Sequence, residues 1–318
     1  MAAERTPVTI GKRTLSLSNL DKVLFPRDGY TKGDLIAYYR EVAPWLLAHL
    51  TDCPLTLQRY PDGIDGFSFF EKHLPKGLPD WAARASLTSP GGSRAKTTYV
   101  VCNDEATLVY VANLASIVLH VWTSRVETIE EPDYVFFDLD PGETCTIKTL
   151  AAVALEVRDL LASVGLNALV KTSGGMGLHI VVPLAAGYSY DAAKMFAEIV
   201  AQRLAHDNPQ AITLERSLAK RDTSAVYFDF QQVGRGKTIV SAYSVRARDG
   251  APVSTPLDWS EVEAFARKRS GVPADVFTAY NLRTTPKRLE RDGDLWSGKA
   301  WKKQRLEPAV TKGQKLWK

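Results

Sequence analysis

Apolar and polar positions recur along this chain with two different periods, and the period sorts its segments. In residues 31–49, TKGDLIAYYREVAPWLLAH, apolar residues return every three to four positions, so that Leu35, Tyr38, Tyr39, Val42 and Trp45 fall on one helical face. Thr31 with Asp34 three residues on is the pattern of a capping box, and Pro44 predicts a kink or an end. Residues 147–163 and 190–205 have the same helical period, and 258–269 predict a helix opened by Asp258. Elsewhere the period is two. Residues 54–60 and 67–70 predict short strands around the turn PDGIDG, and TTYVVCND with ATLVYVAN predicts a hairpin. LVKTSGGMGLHIVVPL predicts strand, glycine turn, strand, while SAVYFDFQQ and KTIVSAYSVRA alternate as strands do. Residues 89–98, SPGGSRAKTT, predict a loop with two basic residues. Helices mixed with hairpin-like neighbours predict an α+β fold with mainly antiparallel sheets, not a doubly wound parallel one.

Composition narrows the class. At 318 residues, 45% hydrophobic and 24% charged, the chain can build one large core or two modest ones. No run approaches the roughly 20 apolar residues of a membrane span, and MAAERTPVTIGKRTL lacks the apolar core of a signal peptide. Cys53, Cys102 and Cys145 are far apart and form no CxxC pair, which argues against a zinc ribbon or a disulfide framework and makes the cytoplasm the expected location, with no membrane partner. Net charge is +4, unevenly spread: residues 283–318 carry +7 and the rest −3. There Trp296, Trp301 and Trp317 alternate with Lys299, Lys302, Lys303, Arg305, Lys312 and Lys315. Two readings stay open for this segment, a contact along a phosphate backbone or a solvated tail whose tryptophans pack back on the domain.

The chemistry centres on VFFDLDP, residues 135–141. Alternate side chains of a strand share a face, so Asp138 and Asp140 point together while Phe137 and Leu139 point into apolar packing. VYFDF repeats the pattern with Asp229 between Phe228 and Phe230. Three carboxylates on neighbouring strands repel one another unless a cation sits between them, and carboxylate oxygens suit Mg²⁺ or Mn²⁺. Two such ions about 3.5–4 Å apart serve in-line phosphoryl transfer. The opposing reading is a turn-capping aspartate with Asp229 paired to an arginine. SGGMGLH offers Ser173, flexible glycines and His179 as anion donors, or simply a tight hairpin with a core histidine. VGRGKT is not a phosphate loop of the GxxxxGK type, because Gln231 stands where its first glycine is required. In SVRAR, Arg246 and Arg248 are expected to share a strand face, where arginine neutralises phosphate or is surface charge.

In this order, FDLDP, SGGMGLH, VYFDF and SVRAR resemble the archaeo-eukaryotic primase superfamily, and within it the polymerase domain of bacterial ligase D, the nonhomologous end-joining primase-polymerase. NLDKVLFPRDGYTKGDLIAYY, GFSFFEKHLP and LHVWTSR resemble the same family, so the likeness runs from about residue 10 to 300. It implies a single polymerase domain over 1–300: an N-terminal α/β module over about 10–130, catalytic motifs on an RRM-like module over about 131–250, and a helical, basic part over 251–300, with 301–318 as a basic tail. It implies that Asp138, Asp140 and Asp229 hold two Mn²⁺ (or Mg²⁺) ions. Ser173, His179 and Arg246 resemble residues on the incoming nucleotide's phosphates, and His120 one near the primer terminus or that nucleotide. Phe69 and Phe70 resemble an aromatic pair that stacks on the template, one of the two expected in the core by strand alternation. Lys22 and Lys32 resemble lysines on the 5′-phosphate of the downstream strand, and Arg59 joins this DNA-binding set. One departure is Met176, where the family has lysine in SGxKGxH; the phosphate contact is then either missing or supplied elsewhere, by Arg235 or Lys237, and triphosphate affinity is the property at stake.

The resemblance implies templated extension of DNA at short gaps or broken ends from NTP or dNTP, with ribonucleotides accepted, at the nucleoid, alongside Ku and a separate ligase. A monomer is expected. The KxDG motif of a ligase is absent, and the start of the chain and its basic end suggest a stand-alone enzyme. Two rival readings remain: an end-bridging module with vestigial activity, which Met176 permits and the three aspartates oppose, and a template-independent nucleotidyltransferase or phosphoesterase.

Overall fold

The computed structural model describes residues 5–88 and 95–316. Along the chain come β1 (Arg5–Ile10), β2 (Arg13–Ser18), β3 (Val23–Phe25), β4 (Tyr30–Thr31), α1 (Lys32–Leu50), β5 (Leu55–Arg59), β6 (Phe69–Glu71), β7 (Arg84–Thr88), β8 (Lys96–Val100), α2 (Glu105–Asn113) and β9 (Ser116–Trp122). Then follow β10 (Tyr134–Pro141), α3 (Ile147–Ser163), β11 (Leu169–Thr172), β12 (Leu178–Pro183), α4 (Tyr190–Asp207), β13 (Ile212–Thr213) and β14 (Val226–Asp229). The last are β15 (Thr238–Val240), β16 (Pro256–Leu257), α5 (Trp259–Ala266), α6 (Pro273–Phe277), α7 (Thr284–Asp292) and α8 (Glu307–Leu316). Among the described residues no helix is long and apolar enough to cross a membrane.

These elements form two compact units. The first comprises Met1–Glu127, Thr238–Ser254 and Tyr280–Gly293; the second comprises Thr128–Lys237, Thr255–Ala279 and Asp294–Lys318. The first unit holds an antiparallel sheet in the order β15-β9-β5-β6 and three two-stranded pairs, β1-β2, β3-β4 and β7-β8. Helix α1 begins as expected: Thr31 and Asp34 form the reciprocal capping box, and Leu35, Tyr38, Tyr39 and Val42 are buried. Pro44 does not end it. Its position faces solvent, and so does Arg40, whose carbonyl lacks an i+4 amide donor because that residue is proline.

The second unit holds six strands in the order β13-β14-β10-β12-β11-β16, antiparallel throughout except β13 against β14. Phe137, Leu139 and Phe228 are fully buried on one face of it. Helices α3 and α4 pack on this sheet. The apolar residues of α3, from Ile147 through Leu150, Ala151, Ala154, Val157 and Leu161, recur at helical spacing and are buried.

Two expectations are corrected. ATLVYVAN is helix α2, not the second arm of a hairpin. Asp104 caps it, its Oδ1 accepting from the Thr107 amide at 2.8 Å and the Thr107 hydroxyl at 3.0 Å, and this start signal outweighs the β-branched content. SVRAR is not on a strand: β15 ends at Val240, and Tyr243 takes a left-handed backbone with φ 63°, which breaks the extended run. Arg246 and Arg248 therefore share no strand face. At the basic end the tryptophans pack back on the domain, as one of the two open readings has it. Trp296 is buried, its indole N–H donating to the Val170 carbonyl at 3.3 Å, and Trp301 packs edge-on against Tyr134. Trp317 and residues 89–94 of the expected loop lie outside the described residues, and Lys96 to Thr98 belong to β8.

Candidate active site

The register of the second unit's sheet assembles the acidic site. Asp138 on β10 stands opposite Asp229 on β14 and opposite His179 on β12, and His179 stands opposite Lys171 on β11. Directly opposed residues share a face. The backbone thus sets one row, Asp229, Asp138, His179, Lys171, across four strands. Asp140 follows one pleat further along β10 on the same face, opposite Tyr227.

Side-chain contacts link the row. Lys171 Nζ lies 2.8 Å from His179 Nδ1, and His179 Nε2 lies 3.2 Å from Asp138 Oδ1. Asp229 Oδ1 accepts from the Gln231 amide at 2.9 Å and its Oδ2 from Gln232 Nε2 at 3.1 Å. Asp138 is one-fifth exposed, Asp140 is exposed, and Asp229 is 9% exposed, so all three line a surface water can reach in part. The donors are all oxygen, as hard divalent ions prefer, and the backbone holds them on one face. Among the described residues, however, no three acidic, histidine or cysteine side chains already converge as a ligand set. Both Asp229 oxygens are engaged by Gln231 and Gln232, so Asp229 would have to leave Gln232 to join Asp138 and Asp140 around a cation.

The glycine turn between β11 and β12 is closed by Ser173. Its Oγ accepts from the amides of Gly175 and Gly177, each at 3.1 Å, and its own amide donates to the Gly177 carbonyl at 2.9 Å. Those two amides are therefore spent inside the turn, and Ser173 shapes the loop. A Cβ on Gly177 would come within 2.4 Å of the Leu139 carbonyl, so only glycine lets the turn lie against β10 between the two aspartates. Met176 is 40% exposed at the tip. Lys237 donates to the Gln231 carbonyl. Burial pulls its pKa down, and the charge of nearby Asp229 opposes that.

The first unit carries the other candidates. His120 and Phe70 meet edge to face at 5.5 Å, with Phe70 58% exposed. Phe69 turns the other way: Arg59 sits over its ring at 5.3 Å and also pairs with Glu71 at 2.9 Å. Phe69 stacks on Phe67, a residue the sequence reading passed over, at 5.7 Å. Phe69 and Phe70 thus serve opposite faces of β6. Lys22 pairs with Asp62 at 2.7 Å and lines an open cleft of about 580 Å³ with Thr6, Asn19, Leu20 and Asp21. Lys32 is buried beside it, donating to the Asn113 carbonyl at 3.0 Å and to Ser18 Oγ at 3.4 Å. Burial first, and the charge of Lys22 second, pull its pKa down to about 8. The Arg246 amide donates to the Pro252 carbonyl at 2.8 Å, and its guanidinium lies near Tyr60.

Antiparallel strands that carry aspartates and a histidine on one face, flanked by helices, make this an α+β domain with an acidic sheet face. Comparison with known proteins gives the family. Residues 31–296 match the family described as LigD, primase-polymerase domain, and the chain belongs to it. The multifunctional non-homologous end joining protein LigD of Mycolicibacterium smegmatis is 37% identical over 248 residues, 77% of this chain and 32% of its own length. The Pseudomonas aeruginosa protein of the same description is 30% identical over 297 residues, 92% of this chain and 34% of its own length. The chain thus spans about a third of these relatives. A solved structure, the polymerase domain from Mycobacterium tuberculosis ligase D in complex with DNA, superposes with a TM-score of 0.78 at 34% identity, covering 89% of this chain and 96% of that one.

Proposed function

We propose that this chain fills short DNA gaps and extends broken ends by templated nucleotidyl transfer, accepting or preferring ribonucleotides, in bacterial end joining. The observation that carries the reading is the row of Asp229, Asp138 and His179 with Asp140 beside it on one sheet face. The DNA bound in the mycobacterial relative supports DNA as the partner. Two Mn²⁺ or Mg²⁺ ions held by Asp138, Asp140 and Asp229 would supply charge to activate the primer 3′-hydroxyl and to stabilise the departing pyrophosphate. The residues of the chain do the positioning. In the second unit His179 donates to a triphosphate oxygen; in the first unit Arg246 takes phosphate, His120 with Phe70 takes a base or primer end, and Lys22 with Lys32 takes a downstream 5′-phosphate. The test is extension on a one-nucleotide gap with a 5′-phosphate, each nucleotide offered singly against each template base. Incorporation that ignores the template base overturns the reading.

The 5′-phosphate role has a pH signature. Below about pH 8 Lys32 carries its proton and can bind phosphate; above it the free protein holds a neutral amine. The extra affinity that a 5′-phosphate gives should therefore be roughly 10-fold at pH 7, the worth of charged hydrogen bonds, and shrink as pH rises to 9. Lys32→Met should remove both the increment and its pH dependence. Fluorescence anisotropy on phosphorylated and unphosphorylated gaps reads it, and an increment constant from pH 7 to 9 counts against Lys32.

Met176 sits at the tip of the glycine turn without a charge. Met176→Lys should lower the KM for nucleoside triphosphate by roughly 5- to 10-fold, as one exposed cation on a phosphate does, with kcat little changed. Steady-state kinetics over a nucleotide titration would show an unchanged KM if Lys237 or Arg235 already fills that role.

A further inference from the structure

Lys171 is 1% exposed, on the short strand β11, and the mechanism above leaves it without a task. Burying a lysine away from water is costly unless the charge is used. Its place in the row is specific. It is directly opposite His179, its Nζ is 2.8 Å from His179 Nδ1, and His179 in turn reaches Asp138 through Nε2 at 3.2 Å. An ammonium has donors only. With Lys171 protonated, His179 Nδ1 accepts from it, and a neutral ring then carries its single proton on Nε2, the nitrogen on the aspartate side.

We propose that Lys171 is a positioning residue that fixes the tautomer of His179. It keeps the Nε2–H as a donor on the side of the acidic face, available to a triphosphate oxygen when nucleotide binds. The opposite tautomer would present a lone pair to that oxygen and repel it. Lys171 reaches no substrate; it acts through His179. Backbone pairing supports the contact on both sides, since β11 is held by β12 and by β16, where Lys171 stands opposite Pro256. Val170 beside it accepts the Trp296 indole N–H, which anchors the strand from its other side. This inference rests on the proposed role of His179 toward the nucleotide.

The test uses protein labelled with ¹⁵N-histidine and long-range proton–nitrogen correlation spectra, with the signal of His179 identified by its loss in His179→Gln. The chain has five histidines, so the spectrum is readable. The wild type, without nucleotide, is expected to show His179 protonated on Nε2 alone. Lys171→Met, similar in length and uncharged, should give a mixture of tautomers and raise the KM for nucleoside triphosphate roughly 10-fold, the usual cost of losing a partner that orients a ring, with kcat changed much less. Lys171→Arg, which keeps the donor, should restore the tautomer and much of the KM. A wild-type His179 protonated on Nδ1 overturns the proposal even if Lys171→Met does not fold, and so does a folded Lys171→Met with wild-type tautomer and KM. If the wild type incorporates nucleotides by template but shows the wrong tautomer, only the role of Lys171 falls. If it shows the Nε2 tautomer but no templated incorporation, the polymerase reading falls instead.

Discussion

Asp138→Asn should lower templated incorporation by at least about 10³-fold while DNA affinity and thermal stability stay near wild type. Asparagine has the shape of aspartate, and the register that sets Asp138 against Asp229 and His179 is made by backbone hydrogen bonds. His179 Nε2 lies 3.2 Å from Oδ1, and an amide oxygen in the same place keeps that distance. The substitution therefore removes one negative charge and little else. If that charge holds a catalytic cation, its loss costs several kcal/mol of transition-state stabilisation, and each 1.36 kcal/mol is about tenfold in rate. Single-turnover extension compared with anisotropy on the same gapped duplex separates chemistry from binding. A variant that keeps a tenth of the wild-type rate would show that Asp138 is a structural capping residue.

Gly177→Ala should be the most damaging conservative change in the glycine turn. A methyl group there meets the Leu139 carbonyl at 2.4 Å, and that carbonyl belongs to β10 between the two aspartates, so no flexible side chain can yield. Forced contacts of this kind cost roughly 1–3 kcal/mol, and in a unit of this size each kcal/mol lowers Tm by about 2–4 °C. Because the strand that must move carries Asp138 and Asp140, incorporation should fall further than the loss of stability explains. Gly234→Ala is the control: its new Cβ would meet only the Lys237 side chain, at 3.4 Å, and Tm should not change. Equal melting temperatures for the two variants would mean that the turn can back away from β10 freely.

Much of this was legible in the sequence where local signals agree with the fold. The Thr31–Asp34 capping box, the helix opened by Asp258 and the strand–turn–strand around SGGMGLH all appear where their residues predict. The errors arose where a cap or a backbone twist overrode composition, at Asp104 before ATLVYVAN and at Tyr243 before SVRAR. Alternation alone put Asp138 and Asp140 on one face, but not the pairing partner, because register is a long-range property. Lys171 was missed although it carries the mark that drew attention to the aspartates, a charged residue inside an apolar strand. Alternation in LVKT predicts only one arm of the turn and says nothing of what faces its lysine.

The docked basic segment bears on where such a domain has its natural border. The family match stops at residue 296, yet the chain beyond it is sewn into the second unit. Gln304 pairs beside Leu184 and makes four bonds: its amide to the Pro183 carbonyl, its carbonyl to the Ala185 amide, and its side chain to both the amide and the carbonyl of Asn167. Tyr188 receives the Leu306 amide and reaches Glu307, and Lys303 meets Asp133. A fragment cut at the family match would therefore strip the second unit of packed chain, since the seam runs past Glu307 to Ala309 on α8, 1% exposed.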